Sequence, residues 1–355
     1  MRNPAKCGTD GLFAKSSPFI IPIFLPQWGC PFQCVYCRQE TITGLQRGSL
    51  DFKALSALVE AGLTPRKKKP GQQTEIAFYG GTFTSIETTA QEALLEWGSL
   101  YVRQGRVDGL RLSTRPDALS PEIVNRLWGK GVKTIELGVQ SLNDQVLSEA
   151  RRGHTAQDTF QAFGLLKEWP FKIGAQIMLG LPGDDRRAFR ETVERLLILK
   201  PDLVRIYPTL VLRGTTLARW YEEGRYKPVS LEEAVELCCW AVDLLERAGI
   251  PVIRLGLQNH NDLKLGQELL AGPFHPAFGD LVRREIFLKN LKHFLKNNVP
   301  LSSVIGLTVS DRDESYLTGE NRRGWRQLMV ELGITIRLEK DGGLFPGSWI
   351  CSPTG

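Results

Sequence analysis

Between residues 19 and about 215 the chain alternates two hydrophobic patterns. Short apolar runs, "FIIPIFL" (19–25), "EIAFYGG" (75–81), "GLRLSTR" (109–115), "TIELGVQ" (134–140), "KIGAQIMLGLP" (172–182) and "LVRIYPTLV" (203–211), predict buried strands. Between them lie stretches with apolar residues every three or four positions, among them "TTAQEALLEWGSLYVRQ", "SPEIVNRLWGKG", "TAQDTFQAFGLLKEW" and "DRRAFRETVERLLIL". That period predicts amphipathic helices. Ser120-Pro121 and Asp184 offer helix-start chemistry, and Gly131 a stop. Six such units with short connections imply a parallel sheet, because parallel neighbours need crossovers. Either a doubly wound sheet or an incomplete barrel satisfies the count. Several strands end in "FYGGT", "STRPD", "GVQS" or "MLGLPGD". In both architectures ligands sit at the C-terminal ends of the strands, so these ends and the loop after the first strand converge on one mouth.

The length of 355 residues suits one large α/β unit plus an appendage. A hydrophobic content of 42% with 24% charged residues places the chain among globular proteins and away from disordered ones. The run "PFIIPIFLP" is too short to span a bilayer and carries three prolines, and no membrane association is expected. The start "MRNPAKCGTD" has no signal-peptide layout, so the expected compartment is the cytoplasm, where clustered cysteines hold metal more often than they pair. A net charge of +6 and a pI of about 8.9 are compatible with an acidic partner such as RNA. The basic run "PRKKKPG" (65–71) reads as a solvated loop, with phosphate contact as the alternative.

The chemistry concentrates in "GCPFQCVYCRQE" (29–40), which holds three of the seven cysteines, Cys30, Cys34 and Cys37. Structural zinc needs a fourth ligand. Cys238 and Cys239 sit in the helical run "EEAVELCCWAVDLLERAG" as small hydrophobes, and Cys7 and Cys351 lie near the termini. His260 and His275 are formal zinc candidates without ligand spacing. Three thiolates on one short loop suit a [4Fe–4S] cluster that leaves one iron open for an exogenous ligand, with zinc and a disulfide as the weaker readings.

The stretch Cys30-Pro-Phe-Gln-Cys34-Val-Tyr-Cys37 resembles the signature of the radical S-adenosylmethionine (SAM) superfamily. The resemblance implies that Cys30, Cys34 and Cys37 hold a [4Fe–4S] cluster whose fourth iron is chelated by the methionine moiety of SAM. It implies reductive cleavage of SAM to a 5′-deoxyadenosyl radical, an external one-electron reductant and a partial (β/α)6 TIM-like barrel. It also places Tyr36 against the adenine, and Gly80, Gly81 and Thr82 of "FYGGTFTSI" at the methionine amino group. Gln140 and Arg152 resemble contacts to the ribose and the methionine carboxylate, and Ser113 or Thr114, and Gln176, end the third and fifth strands. Oxygen-independent coproporphyrinogen oxidases would carry acids at those two positions, which argues against that activity. His154, before a helix, is expected to be structural, and Met178 and Leu179 to be barrel interior. No side chain is assigned a catalytic role.

"EIAFYGGTFTSI", "IELGVQSLNDQVLSEARRGHT" and "RIYPTLVLRGTTLARWYEEGRYKP" further resemble the radical domain of the catalytic subunit of Elongator, which modifies the wobble uridine of tRNA with an acetyl-CoA-derived group. Two features depart from it. The gap between the first two cysteines is three residues, shorter than usual, and only about 125 residues follow position 230, too few for the acetyltransferase domain and its connection. "NRRGWR" (321–326) is superficially similar to the acyl-CoA loop but has Arg326 where a small residue is expected. The chain is therefore expected in a short Elongator-like group.

Expected divisions are an N-terminal extension (1–18), the radical core (19–230), a helical extension packing on the barrel (231–298) and a small α+β module (299–355). In the extension, His275 and Asp280 are candidate mouth residues. The last module reads strand, loop, helix, strand, and "TGENRRGWRQLMVELGITIRL" resembles a KH RNA-binding module with "GENR" at the backbone clamp. Arg322, Arg323 and Arg326 are its candidate phosphate contacts. The leading expectation is a radical SAM enzyme acting on RNA, tRNA foremost. A radical enzyme acting on a small molecule such as a tetrapyrrole, and a non-enzymatic iron–sulfur sensor, are the alternatives.

Overall fold

A computed structural model describes residues 5–8, 18–25, 28–38, 50–64, 72–257, 267–300, 303–318 and 323–353. The chain forms two compact units, Ser16–Pro276 and a second one made of Met1–Lys15 with Ala277–Gly355. Numbered along the chain, β1 (Ala5–Gly8) belongs to the second unit. The first holds β2 (Phe19–Phe24), β3 (Thr74–Tyr79), β4 (Gly109–Thr114), β5 (Val132–Gln140), β6 (Lys172–Leu179) and β7 (Leu203–Pro208). It continues with β8 (Val211–Leu212), β9 (Val252–Leu255) and β10 (Leu269–Ala271).

Strands β2-β3-β4-β5-β6-β7-β9 form one sheet in that order, and every neighbouring pair is parallel. Sequential parallel neighbours joined by helices curl into a partial TIM-like barrel, which decides between the two expected architectures. Strand alternation sorts the faces. On β6, Ile173, Ala175, Ile177 and Leu179 are buried, while Gln176 and Met178 on the other face line the barrel cavity. Met178 and Leu179 therefore face opposite ways.

The helices start where their caps allow. Ser120 accepts from the Ile123 amide at 3.3 Å ahead of Pro121, and Thr155 with Asp158 closes a capping box before helix Ala156–Lys167. Gly131 follows helix Pro121–Gly129 at φ 84°. Asp185, not Asp184, caps helix Arg186–Leu199, accepting from the Ala188 amide at 2.7 Å. Asp184 turns back to accept from the Gly180 amide at 2.8 Å. Burial pushes the Asp184 carboxyl up to about 7 against that hydrogen bond, with the charge of Asp185 adding to the rise. A raised carboxyl contributes most below its unfolded value near 3.9 and loses that contribution as pH climbs through 7. Asp184→Asn is expected to match the parent at pH 4 and exceed its stability by about 1–3 kcal/mol at pH 8. Urea melts at the two pH values measure the difference, and equal gaps at both would dismiss the assignment.

The count of six strands is one short. Helix Leu231–Arg247 leads into β9, which pairs with β7 through Val204↔Val252, Arg205↔Arg254 and Ile206↔Leu255. Four residues at the sheet edge are too few to show alternation, so the sheet runs past residue 230 and no separate helical extension begins at 231. The boundary at 298 moves as well. Helix Phe278–Asn298 presents Phe287, Leu291 and Leu295, four residues apart, to the core of the second unit.

In that unit β11 (Val304–Val309), β12 (Thr335–Lys340) and β13 (Ser348–Pro353) form a four-stranded sheet with β1, in the order β1-β13-β11-β12. β11 and β12 are parallel, and β1 pairs antiparallel with β13. Residues 1–18 are thus not a mere extension, because Ala5–Gly8 complete this sheet. Where a loop was expected after the first strand, Asp311–Thr318 is a helix. Its signal is Ser310, whose hydroxyl accepts from the Asp313 amide at 3.2 Å as an N-cap and donates to Asp313 Oδ2 at 2.8 Å, ahead of an acidic first turn. The "GENR" segment with Arg322, the "PRKKKPG" run and His260 lie outside the described residues.

Candidate functional site

The first unit encloses a cavity of about 920 Å³ on the inner face of the sheet. Cys30, Cys34, Cys37, Tyr36, Gly80, Gly81, Thr82, Ser113, Gln140, Arg152 and Gln176 all line it, so residues spread over some 150 positions meet in one place.

The cysteine loop, which follows β2, is laced to its neighbours by backbone. Leu25 donates to Tyr79 O at 2.6 Å and Thr82 to Trp28 O at 2.9 Å, joining it to the turn after β3. Val35 donates to Ala150 O at 3.2 Å, and Leu217 donates to Val35 O at 2.8 Å. Gly80 has φ 117°, and a Cβ on Gly81 would stand 1.8 Å from the Trp28 carbonyl oxygen. Only glycines let the two turns approach so closely. Cys30 Sγ then lies 3.6 Å from Thr82 Oγ1.

Cys34 is buried, Cys37 half-buried and Cys30 exposed, and none of the three is in a disulfide. Arg152 places Nη1 3.1 Å from Cys34 Sγ and 3.4 Å from the Tyr36 hydroxyl, while Nη2 donates to Gly138 O at 2.8 Å. Each terminal nitrogen of Arg152 thus has a protein partner, while its Nε has none among the described residues. Burial drives the Tyr36 phenol well above its ordinary value, offset by Arg152 and reinforced by Cys34 and Cys37. Gln140, ending β5, adopts φ 64°, a left-handed conformation that a non-glycine residue holds only under constraint. Its side-chain amide lies over Gly138, 3.1 Å from where a Cβ there would stand, and lines the cavity.

Three soft ligands with a fixed cation beside the innermost one fit an iron–sulfur cluster. Among the described residues no three His, Cys, Asp or Glu side chains form a ready single-ion group. A cluster does not require one, since each of its three sulfur-bound irons takes its own thiolate. His154 is buried with Nε2 3.2 Å from Val139 O, and burial together with Arg152 and Arg115 lowers it to about 4. It is neutral and structural at pH 7. Cys238 is buried in its helix, where burial raises its thiol, and Cys239 is half-buried. His275 is not among the lining residues, and Asp280 belongs to the second unit, where it pairs with Arg312 at 3.4 Å.

Sequence reasoning missed the floor of the cavity. Glu136 on β5, fully buried, takes Arg111 Nη1 and the Tyr79 hydroxyl on Oε1 at 2.7 and 2.8 Å. Its Oε2 accepts from Gln176 at 3.2 Å and stands 2.6 Å from Arg205 Nε, an ion-pair contact without hydrogen-bond alignment. Arg205 Nη2 donates to Tyr79 Oη at 2.7 Å and to Glu136 Oε1 at 3.0 Å. Arg111 Nε closes the set on Glu75 at 2.7 Å. Burial alone would raise the Glu136 carboxyl, but Arg205 and Arg111 outweigh it and hold the group below the usual carboxylate range. The available signal was a pair of charges, Glu136 and Arg205, in strands that should read almost purely apolar.

Residues 25–196 match the family described as the Radical SAM superfamily, and residues 201–287 match its C-terminal domain. A tRNA uridine(34) acetyltransferase of Methanocaldococcus jannaschii is 37% identical over 199 residues, 50% of this chain and 37% of that protein. Elongator complex protein 3 of Homo sapiens is 36% identical over 133 residues, 36% of this chain and 24% of that one. The chain thus spans well under half the length of either relative. The structure of archaeal Methanocaldococcus infernus Elp3 with an N-terminal deletion superposes with a TM-score of 0.58 at 22% identity, over 81% of this chain and 69% of that one.

Proposed function

The chain belongs to the radical SAM superfamily, and from that premise we propose that it binds a [4Fe–4S] cluster, cleaves SAM reductively and uses the radical to modify RNA, tRNA foremost. The observation that carries this reading is the joining of the cysteine loop to the Gly80–Thr82 turn at the mouth of one cavity, with Arg152 on Cys34. Relatives named for tRNA uridine-34 and for Elongator support the RNA substrate. When bound and reduced by an external one-electron donor, the cluster supplies the electron that splits SAM into methionine and a 5′-deoxyadenosyl radical.

The protein's own part is binding, orientation and shielding. Cys30, Cys34 and Cys37 would hold three irons, and Arg152 sets a fixed positive charge against the Cys34 sulfur. The Gly80–Gly81 backbone can accept from an α-ammonium group, with the Thr82 hydroxyl beside it. Ser113, Gln140 and Gln176 offer polar groups to a ribose, and Tyr36 a ring face to adenine. Arg152 Nη2 keeps a second hydrogen beyond its bond to Gly138 and would offer it to the methionine carboxylate while Nη1 stays on Cys34.

The test is anaerobic reconstitution with iron and sulfide, reduction in the presence of SAM, and assay of 5′-deoxyadenosine with and without bulk tRNA. Turnover stimulated several-fold by tRNA is expected. Turnover indifferent to tRNA would reject the RNA substrate, and an intact cluster without cleavage would reject the enzyme.

A further inference from the structure

Among the described residues, one guanidinium lining the cavity has neither an ion-pair partner nor a contact with the cysteine loop. Among the described residues, the lining includes four arginines, Arg115, Arg152, Arg205 and Arg254, and no aspartate or glutamate. Three are committed. Arg115 grips Asp117 with two bonds of 2.9 and 2.8 Å, Arg152 holds Cys34 and Gly138, and Arg205 holds Glu136. Beneath the lining, Glu75 and Glu136 balance Arg111 and Arg205. Arg254 stands outside this set, and its hydrogen bond among the described residues runs from Nε to the Gly256 carbonyl at 3.3 Å. That leaves the two terminal nitrogens of a half-buried guanidinium facing the cavity.

The register says where they are. Gln176, Arg205 and Arg254 face one another across β6, β7 and β9, one layer below Met178 and Tyr207. The cysteine loop leaves the sheet from the C-terminal end of β2, so Arg254 lies deeper in the barrel, on the last strand of the sheet. Neighbouring strands are about 4.8 Å apart, which sets two guanidiniums side by side with one carboxylate, Glu136, serving the inner one. The Tyr207 hydroxyl, 3.4 Å from Arg205 Nη1, accepts from that nitrogen and keeps its own proton to give. Ile20, Pro22 and Phe24 of β2 contribute an apolar wall. A cavity of about 920 Å³ is at the upper end of the range for ligand pockets, roughly 300–1,000 Å³, and has room for more than one occupant.

We propose that Arg254, with the Tyr207 hydroxyl, forms a second subsite for an oxyanion, the carboxylate or phosphate group of a substrate or co-substrate whose apolar body extends toward the cysteine loop. A guanidinium fork fits either group through two parallel bonds, and an oxyanion there supplies the ion-pair partner that Arg254 lacks among the described residues. The subsite rests on the radical reading only for the identity of the cavity's other occupant.

The test uses the reconstituted protein with SAM present, titrated with acetate or inorganic phosphate against chloride at matched ionic strength. Binding is read from the acetate ¹³C or phosphate ³¹P resonance. One oxyanion is expected to bind saturably, acetate if the group is a carboxylate and phosphate if it is a phosphate ester. Arg254→Gln should weaken it about ten- to a hundredfold, Arg254→Lys less, and Tyr207→Phe a few-fold. If a melt shows Arg254→Gln unfolded, the Lys and Phe variants decide by the same ordering. Oxyanions no better than chloride, or equal affinity in the variants, would overturn the subsite. SAM affinity is measured in the same samples, so loss of SAM binding with oxyanion binding intact would sink the radical reading and leave the subsite standing.

Discussion

Replacing Cys34 with alanine is expected to lower 5′-deoxyadenosine formation by about a thousandfold or more and to bleach the iron–sulfur absorbance. Of the three thiols it is the buried one, tied to Arg152 at 3.1 Å, and a methyl group offers iron nothing. Arg152→Gln keeps the ligand and removes the charge beside it, so a loss of about ten- to a hundredfold is expected there. Cys238→Ala is the comparison for cysteine loss in general, since that thiol is packed in helix Leu231–Arg247. Normal nucleoside yield from the Cys34 variant would end the ligand assignment, whatever the other two show.

The second large effect is on stability. Glu136→Ala should destabilise the first unit by about 3–5 kcal/mol, because it strands Arg205 and half of Arg111 in a buried site. For a unit of this size that is a fall of roughly 10 °C in melting temperature. Glu136→Gln retains an acceptor for Arg111 and should cost less. The sign of the pH dependence follows from the depressed carboxyl. Its contribution is present above the unfolded value near 4.3 and is lost as pH falls through the lower folded value. Thermal melts from pH 7 down to 3 should therefore converge for parent and Glu136→Ala, and a gap that stays constant would show that the charge is not what Glu136 supplies.

What could be read without coordinates was what local chemistry determines. Three cysteines within eight positions and a glycine pair ending a strand need no partner to be recognised, and the cavity gathers them as the strand–helix order implies. Pairings made at a distance were not legible. β9 acquires its identity only by lying against β7, and Glu136 is intelligible only beside Arg111 and Arg205 from two other strands. Other signals were present and passed over. Ser310 is as good an N-cap residue as Thr155, with an acid three positions on in each case, and Asp184 was preferred to Asp185 although both precede the same helix. Between adjacent acids, the one whose side chain reaches the third amide of the helix becomes the cap, and the other must find a different donor.

The pairing of Ala5–Gly8 with Ser348–Cys351 bears on how the protein is made. Ser16–Pro276 can close its sheet from residues already synthesised, and domains generally fold in order of emergence. Ala5–Gly8 must instead wait, unpaired, until its complement leaves the ribosome, some tens of residues after Pro276. At usual elongation rates that delay is on the order of ten seconds, and for its last few seconds, once β11 has emerged and β13 has not, the edge of β11 is open to other strands. Aggregation during expression should thus depend on how fast the stretch encoding residues 304–353 is translated.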